Sequence, residues 1–128
     1  MNDLPLLPPI SSRHAPAPAV WVTGHALERI REHYPDAGAW AAGRLLLAAV
    51  EVSGEIACEM LRRRQLASAD RYFLAADRRG LFVVAPGTRP GSPFAYSLVT
   101  YLRFSPWQAD LAARLYPLPA AEPSEVIP

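Results

Sequence analysis

The sequence predicts an α+β fold: N-terminal helices packed on a four-stranded, mainly antiparallel sheet, with a short C-terminal helix. Three observations lead there. Apolar residues recur at helical spacing early in the central region and alternate in its second half, while proline collects at both ends. Nine of the 14 prolines fall in residues 1–19 and 117–128, where they remove backbone donors and forbid regular helix. These stretches are expected to be extended or unstructured proline-rich arms around a single domain, residues 20–116. A chain of 128 residues has room for one core of that size.

The elements follow in order. Val20-Trp21-Val22 is a short β-type run that stops at Thr23-Gly24. From His25 the period becomes helical, with Leu27, Ile30 and Tyr34 three or four apart and Glu28, Arg29, Arg31 and Glu32 on the other side. Pro35 stops this helix by driving Tyr34 out of the α region. Asp36 is the expected cap of a second helix. Trp40, Leu47 and Val50 mark its apolar side, Gly38 and Gly43 suggest close packing against a neighbour, and Gly54 ends it or turns the chain. In residues 55–61, Ile56, Cys58 and Met60 alternate with Glu55, Ala57 and Glu59, which predicts a strand.

Arg71–Ala76 and Leu81–Ala85 are two further strands, joined through Asp77-Arg78-Arg79-Gly80 with the glycine assigned a positive φ. Residues 86–93 hold three prolines and two glycines and read as a loop. Residues 95–104 form the last strand, with Ser97, Val99, Tyr101 and Arg103 on one face and Leu98, Thr100, Leu102 and Phe104 on the other. Ser105 then caps a helix with Pro106 in its first position and Leu111 and Leu115 on its apolar side. The order is β-α-α-β-β-β-β-α, its last four strands making the sheet.

Composition narrows the function. The net charge of +1 argues against a strongly electrostatic nucleic-acid binder. All 13 basic residues are arginine, for which codon usage is the plain explanation. The lone Cys58 excludes an internal disulfide, fits a reducing compartment and reads as a small buried side chain. No basic stretch followed by an apolar run opens the chain, and Leu45–Val50 is too short to span a bilayer. A cytoplasmic protein without membrane contact is expected.

His25, Arg29 and His33 carry the most specific pattern, spaced i, i+4, i+8 along one helical stripe with Glu28 and Glu32 beside it. In a first helical turn the dipole disfavours a cation, so a neutral His25 suits a general base, and Arg29 suits a developing phosphorane charge. An ordinary surface helix with charge pairs is the competing account, and physical argument alone favours it. Two histidines eight apart do not make a compact ligand pair, so no metal and no cofactor is assigned. Arg62 and Arg64, on one side of a strand end, and Arg103 are candidate phosphate-binding residues, with Arg78 and Arg79 nearer to a solvated turn. Tyr72, Phe73 and Tyr101 are either core or base-stacking aromatics. Thr100 is either a buried threonine satisfied by backbone or a hydroxyl entering a groove.

The segment GHALERIREH resembles the opening helix of small bacterial RelE-like domains, in which histidine is followed four residues later by arginine. RYFLAADRRGLFVVAP and SLVTYLRF are similar to the closing sheet of that family, whose last strand commonly carries threonine or serine. The wider group has the fold of barnase, EndoU, colicin nucleases and RelE, and contains many metal-independent ribonuclease toxins that cleave RNA through 2′-hydroxyl attack. His25 and Arg29 match the helix motif and Thr100 the strand position, while His33 stands where an arginine is frequent. Residues 36–50 form a longer helical insert than the small members carry.

The resemblance implies a toxin-like RNA endonuclease. His25 is then the acid or base, Arg29 and one of Arg62–Arg64 hold the scissile phosphate, and Thr100 orients it. Arg62, Arg64, Arg103 and His33 contact RNA or phosphate, and the partners are RNA and a protein such as an antitoxin. The alternative is a non-catalytic interaction domain of the same fold. It would bind a macromolecular partner, or a second copy, through its sheet and arms, where Leu4, Leu6, Leu7, Ile10, Val126 and Ile127 are apolar.

Overall fold

Two pairs of helices sandwich one mixed sheet in the computed structural model, which describes residues 19–63, 70–87 and 91–118. Almost all of both proline-rich arms, and Arg64, lie outside the described residues. Strand β1 (Val20–Val22) leads into helix α1 (Gly24–Arg31) and α2 (Ala39–Leu47). Then come β2 (Val50–Val52), α3 (Gly54–Leu61), β3 (Arg71–Leu74), β4 (Gly80–Pro86), β5 (Tyr96–Arg103) and α4 (Pro106–Leu115).

The α+β class holds, but the sheet has five strands rather than four, in the order β1-β5-β4-β3-β2. Strands β2 to β5 pair antiparallel with their neighbours, and β1 runs parallel to β5. Alternation along β3 and β4 divides the apolar side chains. Phe73, Phe82 and Val84 meet Ala26, Ile30, Ala42 and Leu46 of α1 and α2. Tyr72, Leu74, Leu81 and Val83 meet Ala57 and Met60 of α3 and Ala112 of α4.

Residues 55–61 are helix, not strand. Ser53 caps α3 by accepting the Ile56 amide at 3.2 Å, and Glu55 in the first turn suits the helix dipole. The buried positions, Ala57 and Met60, are three apart, so the alternation of Ile56, Cys58 and Met60 is a coincidence of composition. Val50 belongs to β2 rather than to the helix before it. Arg71 forks onto Glu51 through two bonds of 2.9 Å and ties β2 to β3.

Four local expectations also change. Gly38, not Asp36, occupies the N-cap of α2, and a Cβ at Gly38 or Gly43 would meet open space rather than a packed neighbour. In the β3–β4 turn the left-handed residue is Arg78 (φ 62°), not Gly80. Gly80 has a different constraint, because a Cβ there would run into the ring and hydroxyl of Tyr101. Finally, β5 carries a bulge: Val83 faces Thr100 and Val84 faces Leu98, leaving Val99 without an opposite residue. Leu98 and Tyr101 therefore share the α1–α2 face, while Val99 and Leu102 pack on the other.

Thr23 sets where α1 begins. Its amide and hydroxyl both donate to the Leu98 carbonyl, at 3.2 and 3.1 Å, and its hydroxyl accepts the Ala26 amide at 3.0 Å. One residue thus caps α1 and pins that cap to β5 where the pairing with β1 ends. The first turn of α1 is delivered to the stretch of β5 that starts at Val99.

Candidate functional site

The Thr23 anchor brings two sequence-predicted residues together. His25 Nε2 lies 3.2 Å from Thr100 Oγ1 at an exposed position, and the direction of that hydrogen bond follows the imidazole tautomer. Arg29 sits one turn further along α1 and is exposed, with its Nη1 3.1 Å from a Glu32 carboxylate oxygen. A pair this open contributes about 0–1 kcal/mol, so the guanidinium is readily released to another anion.

His33 departs from the expected stripe. Helix α1 stops at Arg31, and His33 lies in the turn that follows, its amide bonded to the Ile30 carbonyl. Its Nε2 lies 3.2 Å from Asp77 Oδ2. The same oxygen accepts the Tyr34 hydroxyl at 2.6 Å, and Asp77 Oδ1 accepts the Arg79 amide at 2.9 Å. Burial pushes the Asp77 carboxyl up, but the bonds from Tyr34, the Arg79 amide and His33 outweigh it and hold the group below the usual carboxylate range. Burial together with the bond to Asp77 pushes the Tyr34 phenol far up, so it remains a donor. The His33 ring meets Tyr34 edge-on at 4.5 Å and stacks near Tyr101 at 6.2 Å.

Beside this group lies a cavity of about 350 Å³ lined by His33, Arg79, Arg103, Ser105 and Asp110 among others. Register explains its two arginines. Gly80 pairs with Arg103, and the Phe104 amide donates to the Arg79 carbonyl at 2.9 Å, so adjoining backbones carry both side chains. Arg103 follows Thr100 by three residues, which is about 10 Å of extended strand. His25 with Thr100, and His33 with Arg103, are therefore two stations along the α1–β5 seam.

Other predicted residues do not join them. Arg62 ends α3 in the left-handed conformation (φ 57°), and its guanidinium lies 5.2 Å from the Trp107 ring on the α3–α4 side. The strand expected to end at Arg62 is helix instead, and Arg64 lies outside the described residues. Arg78 points inward and donates to the carbonyls of Tyr116, Ala76 and Pro117. Tyr72, Phe73 and Tyr101 are buried and belong to the core. Cys58 is half-buried and free.

Asp77 and Tyr34 are the functional neighbours that sequence reasoning missed. Asp77 reads as a turn residue, and nothing in the spacing links it to a pair 43 and 44 residues upstream. Among the described residues no three His, Cys, Asp or Glu side chains gather as metal ligands, and no helix is long and apolar enough to cross a membrane. On α2, Trp40 and Leu47 are 76% and 55% exposed beside an apolar hollow of about 620 Å³. No family model, curated protein or solved structure matches this chain.

Proposed function

We propose that the chain is a metal-independent RNA-cleaving domain whose proton-transfer group is His25. The observation that carries this reading is the contact of His25 Nε2 with Thr100 Oγ1 at the open end of the α1–β5 seam. An exposed imidazole held by a strand hydroxyl is placed to take the proton of an RNA 2′-hydroxyl. The 2′-oxygen then bonds to the adjacent phosphorus, and the 5′-oxygen leaves with its electron pair and collects a proton from water. The products are a 2′,3′-cyclic phosphate and a 5′-hydroxyl end. Arg29, one turn away, offsets the charge that builds on the phosphorane oxygens. The substrate supplies the nucleophile, so the chain has only to move a proton and stabilise charge.

The test is cleavage of single-stranded RNA by the purified protein in EDTA, with the product ends identified. His25→Ala lowers the rate by about 10²–10⁴-fold, the usual contribution of a positioned acid or base. The side chain is exposed, so the variant folds, and circular dichroism checks that it does. A His25→Ala protein that cuts as fast as wild type ends the proposal.

A second reading, a non-catalytic interaction domain, draws on the exposed Trp40 and Leu47. It is preferred if wild-type protein leaves RNA intact while Trp40→Ser changes the sedimentation of the protein.

A further inference from the structure

We infer that the cavity between the β3–β4 turn, the end of β5 and the start of α4 binds a phosphate of a single-stranded polynucleotide, distinct from the phosphate at His25. That the strand is RNA rests on the reading above; that a phosphate binds does not. Two guanidinium groups, Arg79 and Arg103, and the His33 imidazole line one cavity of about 350 Å³. Among the described residues neither arginine has an ion-pair partner. Asp110 is the one carboxylate among the described lining residues, so arginine charge exceeds carboxylate charge there. Asp77 is not among the lining residues, and its oxygens accept from Tyr34, the Arg79 amide and His33.

The donor geometry is held in place. The Gly80–Arg103 pairing and the Phe104 amide bond to Arg79 fix both arginine backbones, so little backbone entropy is lost when they close on an anion. Arginine forks match the paired oxygens of a phosphate. The cavity is too far from Thr100, about 10 Å along β5, to hold the phosphate that His25 acts on. It lies on the same seam, as a second phosphate of one strand requires.

The experiment uses the full chain and a short, labelled single-stranded oligodeoxynucleotide, which carries the phosphates but lacks the 2′-hydroxyl and stays uncut. Wild type binds it, and the His33 ring resonances move during the titration. Arg79→Ala and Arg103→Ala each weaken binding about tenfold, the value of a charge-assisted contact. Each also reduces the slope of log affinity against log salt by about 0.7, as expected for one lost phosphate contact on a single strand. Arg44→Ala, on α2, changes neither quantity. Absence of wild-type binding, unmoved His33 resonances, or an equal loss in Arg44→Ala overturns the inference. If RNA stays uncut while the oligomer binds in this pattern, the ribonuclease reading fails and the phosphate site stands. If RNA is cut while neither Arg79→Ala nor Arg103→Ala alters binding, the phosphate site fails and the ribonuclease reading stands.

Discussion

Tyr101 joins the core to the seam. Its ring packs on Phe82 at 4.9 Å, and its buried hydroxyl, with Tyr34 as polar neighbour, makes no hydrogen bond of good geometry among the described residues. Burial pushes the phenol up to about 12. A buried hydroxyl without a partner opposes folding, so Tyr101→Phe should be neutral or stabilising by up to about 1 kcal/mol in urea unfolding. A loss larger than that means the hydroxyl has a partner. Gly80→Ala forces a methyl against the same ring and should cost about 1–3 kcal/mol. Combined, the two changes should cost less than their sum, because the hydroxyl is part of the clash. These residues also mark what sequence can and cannot reveal. His25, Arg29 and Thr100 are legible because a helix start and a strong strand each have local signals. Gly80 stands out in the sequence for the wrong reason: positive φ is a local property of a turn, whereas room for Tyr101 depends on a strand more than 20 residues away.

At the level of elements, legibility follows length and capping. Strands β4 and β5 and the Ser105-Pro106 start of α4 can be read because their signals are long or chemically specific. Helix α3 is eight residues, and its Ile56, Cys58 and Met60 mimic a strand; only the Ser53 cap marks it as helix. Strand β2 has three residues directly after α2, too few to show a period of their own. The end of α4 depends on a residue that sequence assigns to a solvated turn. Arg78 adopts its left-handed backbone and donates 2.7 Å and 3.2 Å bonds to the Tyr116 and Pro117 carbonyls, with a third of 2.9 Å to Ala76. Arg78→Ala should therefore cost about 2–3 kcal/mol by removing the charge-assisted hydrogen bonds of a buried guanidinium. Amides in the last turn of α4 should exchange faster, with those of α1 unchanged. Arg78→Lys should restore little, since an ammonium cannot reach three acceptors with fork geometry. Equal acceleration in α1 and α4 would show that Arg78 supports the domain generally and does not clamp one helix.

Across the whole molecule, the sheet divides the apolar interior into two clusters that do not share side chains, and the β3–β4 turn couples their helical layers. Asp77 binds His33 and Tyr34 just after α1, while its neighbour Arg78 binds the end of α4. Two adjacent residues of opposite charge thus hold both layers to one turn. The Asp77 half of this link depends on ionisation, and its sign can be worked out. The folded carboxyl lies below its ordinary pKa, so its contribution is fully present above the unfolded value and is lost as pH falls through the folded one. Urea unfolding of wild type and Asp77→Asn from about pH 5 to about pH 2 tests this. The wild-type advantage should be largest at the upper end and shrink on acidification, because a protonated carboxyl and an amide are similar in shape and both uncharged. A difference that stays constant with pH would assign the role of Asp77 to its shape. A shrinking difference assigns it to its charge, and means that acid loosens α1 and the His33 side of the seam while the Arg78 clamp on α4 persists.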